Sequence, residues 1–226
     1  MAGMAAGLGH DGGMASRPPA RSVKISDDER TGWSSDRPRR DGAPPRPADL
    51  TVHCRVLAPA DRLRYSPGSL LIVASASLDE RDRFLARLIE DRASMLSLGK
   101  VRALLAGRVE ETELDARAQE LLLAAVSKRM EARETVVLGV DGLGAGEREP
   151  FVRLAAALKR PRHLILLETA REQVREEDLA ALNELRRALD AGELGGEGFQ
   201  TVLRLGGGTA GEVKRILFRP PPREES

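Results

Sequence analysis

"LLIVASASLDERDRFLARLIED", residues 70–91, decides how the rest of the chain is read. Residues 70–73 are apolar without a break, as in a buried strand, and small residues follow at 74–77. From 79 to 91 the spacing switches to that of an amphipathic helix, with Phe84, Leu85, Leu88 and Ile89 on one face. A loop that holds phosphate between such a strand and helix would carry glycines, then Lys, then Ser or Thr. Leu78, Asp79, Glu80, Arg81 and Asp82 occupy that place instead.

The same alternation continues outward. Strands fit residues 70–74, 94–98, 135–140, 163–168 and 201–205; helices fit 79–91, 100–106, 113–132, 146–159, 171–191 and 210–218. Five short apolar strands separated by helices predict an α/β fold, a mostly parallel five-stranded sheet with helices on both faces. The 113–132 helix spaces Leu114, Ala118, Leu121, Leu122, Ala125 and Val126 for packing by one stripe. "LTVHCRVLA", residues 50–58, alternates enough for a short strand at an edge or strapped across the fold.

Three regions follow: a tail at 1–49, a strand and connecting strap at 50–68, and the α/β domain at 69–226. The tail clusters Pro, Gly and mixed charge, a composition that cannot bury enough surface to offset ordering entropy, so disorder is expected there. Trp33 stands alone within it as a candidate anchor for a protein partner. The arginines between Arg37 and Arg46 are candidate phosphate contacts, although neighbouring acids favour a linker.

Composition narrows the classes. Among 226 residues, Lys and Arg total 36 against 35 Asp and Glu, so no global charge draws the chain to nucleic acid or membrane. Aromatics make up 3%, too few for extended base stacking. Cys54 is the single cysteine, which precludes an internal disulfide and suits a reducing cytoplasm. No signal peptide or membrane span is expected from the apolar runs. His53 and Cys54 adjoin without the further ligands that structural zinc requires, so no metal is expected.

From about residue 69 to 218 the order of motifs resembles the kinase domain of bacterial polynucleotide kinases, among the P-loop nucleotide and nucleoside kinases. "LLIVASASLDERDRFLARL" matches a family strand, Gly-Lys-Ser/Thr loop and helix; "MLSLGKVRALLAG" matches a strand ending in Ser-Ser-Asp-x-x-Arg. "EARETVVLGVDGLGAGEREPFVRLAAAL" matches a strand bearing Asp-Ala-Thr-Asn and its helix, and "GEGFQTVLRLGGGTAGEV" the last strand and helix.

The resemblance implies a nucleotide site whose residues have changed. Ungapped, the loop Lys falls on Glu80 and the Ser/Thr on Arg81; shifted by one residue, they fall on Arg81 and Asp82. The degenerate loop thus comprises Ser75, Ser77, Asp79, Glu80, Arg81 and Asp82. Asp79, Glu80 and Asp82 would set carboxylates against a triphosphate, yet suit the positive end of a helix dipole. The proton-accepting Asp of Asp-x-x-Arg falls on Gly99, while Arg102 survives, and Asp-Ala-Thr-Asn falls on residues 139–142 with only Asp141 acidic. In the segment matching the lid, Arg171, Arg175, Arg186 and Arg187 are expected to pair along one helix with Glu172, Glu176, Glu177 and Glu184. Gly206, Gly207 and Gly208 before Thr209 read as a flexible turn with Thr209 as N-cap, the alternative being an anion nest.

Two principal readings result. A degenerate kinase-like domain would serve as a protein-binding or assembly module and need no cofactor. A divergent kinase would use ATP and Mg2+, with Arg81 for the loop Lys, Arg102 beside the substrate, and Asp141 or Glu168 holding the metal. A third reading binds nucleic acid without catalysis through Arg102 and the tail arginines.

Overall fold

The computed structural model describes residues 50–220. The tail with Trp33 and its arginines lies outside the described residues. In chain order come β1 (Arg55–Leu57), β2 (Arg62–Tyr65), β3 (Leu70–Ser75), α1 (Leu78–Leu88), β4 (Met95–Ser97), α2 (Leu98–Leu105) and α3 (Glu111–Glu131). They are followed by β5 (Val136–Gly139), α4 (Ala145–Ala157), β6 (Arg162–Leu167), α5 (Glu176–Asp190), β7 (Thr201–Leu205), α6 (Gly208–Glu212) and β8 (Arg215–Phe218).

The fold is α/β, built on a parallel sheet of order β1-β7-β6-β3-β5-β4. The sheet has six strands where the sequence predicted five, because β1 adds to the edge beside β7. Strands β3, β5 and β6 are buried at every position, which explains why they read as unbroken apolar runs. Pleating divides each strand between two cores. Leu70 and Ile72 join Val126 of α3, Val152 of α4 and Leu185 of α5 on one face. Leu71 and Val73 join Phe84, Leu85 and Leu88 of α1 on the other, under Leu63 and Tyr65 of β2 and Ile216 of β8. Among the described residues, no helix is long and apolar enough to cross a membrane.

Three local expectations need correction. The helix predicted at 210–218 is the five-residue α6 followed by β8, which pairs in parallel with β2 as a second, two-stranded sheet. Period-two alternation drives this: Leu63 and Tyr65 are buried while Arg62 and Arg64 are exposed. The long helix predicted from residue 171 breaks into a single turn at Arg171–Gln173 and then α5, whose first turn carries Glu176, Glu177 and Asp178 at the positive end of its dipole. In α3 the buried stripe is Ala118, Leu122, Val126 and Met130, and Leu121 is exposed.

The small sheet closes over a polar pair. Tyr65 lies against His163, the second residue of β6, with ring centroids 4.7 Å apart, and His163 Nδ1 meets Thr201 Oγ1 at 2.8 Å. Tyr65 Oη and His163 Nε2 are buried without a hydrogen-bond partner among the described residues. Burial, with the Arg162 charge adding to it, holds the imidazole pKa down to about 4. Burial likewise pushes the Tyr65 phenol up.

Candidate functional site

All six strands of the main sheet are parallel, so the loops after β3, β5, β6 and β7 gather at one end. From β3 the chain crosses toward the β4 edge, and from β6 it continues toward β7. Diverging connections of this kind leave a crevice at the carboxyl ends of the strands, where α/β proteins place ligands.

The connection between β3 and α1 is two residues, Ala76 and Ser77. Ser77 caps α1 by accepting from the Glu80 amide at 3.3 Å, and the Ser77 amide donates to Ser75 Oγ at 3.2 Å. Ser75 is buried and shares a hydrogen bond with Thr169 Oγ1 at 3.0 Å. Asp79 and Glu80 lie in the first turn, where their charge complements the helix dipole, as expected.

Arg81 departs most from expectation. It belongs to the same helical stripe as Phe84, Leu85 and Leu88, and it is 2% exposed. Its Nη1 donates to Val140 O at 2.5 Å and to Asp141 Oδ1 at 3.0 Å, while Nε and Nη2 each lie 2.9 Å from Asp82 Oδ1. Three of the five guanidinium N–H groups are thereby hydrogen-bonded. Asp141 gives its other oxygen to Arg102 Nη1 at 3.1 Å, and Arg102 Nε donates to Asp115 at 2.7 Å. The three residues named for a divergent kinase, Arg81, Arg102 and Asp141, therefore come together, but as partners of one another.

Gly139, the last residue of β5, makes room for this arrangement. A Cβ there would stand 2.8 Å from Arg81 Nε and 3.0 Å from Cζ. The guanidinium is pinned from several sides and cannot swing away freely. Gly139→Ala is accordingly expected to cost about 1–3 kcal/mol in a urea melt, as overpacking does. Combining it with Arg81→Met should remove most of that cost.

Glu168, just beyond β6, shares the single Nε–H of Arg186 between its two oxygens at 3.0 Å, accepts from Arg186 Nη2 as well, and accepts from Arg204 Nε at 2.6 Å. Burial pushes its carboxyl up, but the two arginines outweigh this and hold it below the ordinary range. The ion pairs expected along the lid helix are largely different ones. Arg186 pairs with Glu168, Arg187 with Glu193, and Arg175 with Asp178 as well as Glu177.

Thr209 is not an N-cap. It lies inside α6, where its hydroxyl accepts from the Gly206 amide at 3.0 Å and donates to the Gly206 carbonyl at 2.8 Å, so one amide of the would-be nest is already taken. Cys54 is half-buried, and burial pushes its thiol up, away from reactivity. Among the described residues, no three His, Cys, Asp or Glu side chains converge as they would round a metal ion.

Two cavities lie near the carboxyl ends of the strands, and the second takes Asp141 of the Arg81 cluster into its wall. One, of about 510 Å3, lies in the crevice between α1, the end of β6 and α6, with Glu80, Arg83, Glu168, Thr169 and Gly207 on its walls. The other, of about 540 Å3, lies between α3, α4 and the end of β5. Sequence reasoning missed the second, because its walls come from residues that read as ordinary helix packing.

No family model and no curated protein matches the chain. Among solved structures, a crystal structure from Chloroflexus aurantiacus J-10-fl described as a "putative kinase" aligns with a TM-score of 0.43 and 12% identity, covering 62% of this chain and 86% of that one.

Proposed function

We propose that this chain is a non-catalytic, kinase-like domain that serves as a protein-binding or assembly module in the cytoplasm. The observation that carries the reading is the buried Arg81. Its guanidinium is bound to Val140 O, Asp141 and Asp82 beside a two-residue connection. A phosphate cradle requires a longer turn whose amides point inward, with glycines that let the backbone approach. Ser75 and Ser77 instead bond to each other, to Thr169 and to the Glu80 amide, Arg81 bonds to Val140, Asp141 and Asp82, and the reading calls for no cofactor. Leu104 of α2 and Leu121 of α3, 65% and 48% exposed, offer apolar surface to a partner.

The test is nucleotide binding by the full chain. A ligand at about 100 times its Kd would add roughly 2.7 kcal/mol of stability, a clear rise in Tm. No shift is expected from millimolar ATP with Mg2+, and no phosphate transfer to oligonucleotide 5′-hydroxyls. A saturable Mg2+-dependent shift would favour the divergent kinase. The crevice cavity beside Glu168 and Thr169 is the feature that supports this rival. Transfer abolished by Arg81→Ala would establish it.

A further inference from the structure

The cavity between α3, α4 and the end of β5 has a volume of about 540 Å3, within the range of small-molecule sites. Leu98, Leu122, Leu123 and Phe151 supply apolar walls. Apart from the Gln119 amide, the polar side chains are carboxylates: Glu120, Asp141 and Glu147. No Lys or Arg is among the residues that line it.

The surrounding charges do not cancel. Arg81 and Arg102 between them take both oxygens of Asp141, so that wall carboxylate is compensated, and Asp82 and Asp115, which share the two arginines, are exposed and lie outside the lining. Glu120 is offset by Arg117. The Glu147 carboxylate has no partner among the described residues, which leaves one unpaired negative charge on the cavity wall. The stem of Glu147 lies over Gly142, where a Cβ would stand 2.5 Å from its Cγ, and Glu147 lines the cavity.

The backbone adds a further acceptor. Pro150 sits inside α4 and has no N–H to give the carbonyl of Gly146, one turn earlier. Both residues line the cavity. Acceptors and apolar walls without a cation describe one kind of ligand.

We propose that this cavity binds a small organic cation, a protonated amine on an apolar alkyl or aryl body. The ammonium donates to the Glu147 carboxylate and to the Gly146 carbonyl. The apolar body covers the leucines and Phe151. Anions meet the unpaired Glu147 carboxylate with no lining cation to offset it and are turned away. The inference goes beyond the module reading and does not depend on it.

Phenylbutylamine, phenylbutanol and phenylbutyrate share one apolar body and differ in charge, so ligand-observed NMR titration of the full chain with all three isolates the charge. Saturable binding of the amine is expected, with the alcohol about tenfold weaker and the carboxylate not bound. Glu147→Gln, at an exposed position, should weaken the amine several-fold, and Leu123→Arg, which brings a cation to the wall, should abolish its binding with Tm nearly unchanged. Equal affinity for amine and alcohol overturns the proposal, as does amine binding indifferent to both variants. No saturable binding of the amine at millimolar concentration overturns it as well.

Discussion

Arg81→Met is expected to lower the stability of the domain by about 3–5 kcal/mol, the range found when one partner of a buried ion pair is removed. Methionine keeps most of the apolar stem against Phe84 and Leu85, so the loss falls on the charged head. Without that head, the Val140 carbonyl loses its 2.5 Å donor, and Asp141, 20% exposed, keeps only Arg102. The measurement is equilibrium urea unfolding of the wild type, Arg81→Met, Asp141→Asn and the double variant. A coupling of at least about 1 kcal/mol is expected, because the two residues are in contact within one network. A loss below about 1 kcal/mol for Arg81→Met would show that the guanidinium is not structurally committed.

This experiment bears on function as well as stability. A side chain held for a nucleotide tends to be strained or underused in the free protein, and its removal usually costs little stability or even adds some. A side chain that closes the site from within behaves in the opposite way. Stability lost without any change in nucleotide response is the pattern that belongs to the module reading. Stability retained with an ATP response lost belongs to the kinase.

The difference between what the sequence disclosed and what it hid follows from which forces act locally. Residues 70–91 announced strand and helix because β3 is buried on both faces and α1 on one, and burial writes directly into apolar spacing. Arg81 was hidden because a charged residue is normally solvent-facing. Its position was nevertheless informative: 81, 84, 85 and 88 fall at i, i+3, i+4 and i+7, so the stripe that buries Phe84 had to bury Arg81. The span of β8 reads as helix because its partner β2 lies some 150 residues away, and the alternation in "RLRY" marks only the β2 side of the pair. Likewise Asp141 was visible as an acid, but its two arginines come from α1 and α2, and no spacing rule connects them. The cavity bounded by Pro150, Glu147 and Leu123 depends on how α3 and α4 approach each other. That is a tertiary fact with no periodic signature.

Acidification from pH 7 to pH 5 is expected to cost the domain about 2 kcal/mol, and His163 is the cause. Its folded-state pKa is held to about 4, against about 6.5 in an unfolded chain. Between those values the unfolded chain binds a proton that the folded one refuses, so stability falls as pH falls, by at most about 1.4 kcal/mol per pH unit. The full effect, about 3 kcal/mol, is present above pH 6.5 and gone near pH 4. The imidazole cannot escape the penalty in place. Its Nε2 is buried without a partner among the described residues, its Nδ1 faces Thr201, and Tyr65 covers its ring. Glu168 works in a lower window. Its carboxyl is held below the ordinary range, so its contribution is present above about pH 4.5 and is lost only as pH drops further. The interval from pH 7 to pH 5 therefore isolates the histidine. Urea unfolding across that interval should show a steep decline for the wild type and a nearly flat profile for His163→Phe, which keeps a ring against Tyr65 and removes the titration. Parallel profiles for the two proteins would mean that His163 takes up its proton in the folded state, with water or a rearranged Tyr65 reaching Nε2.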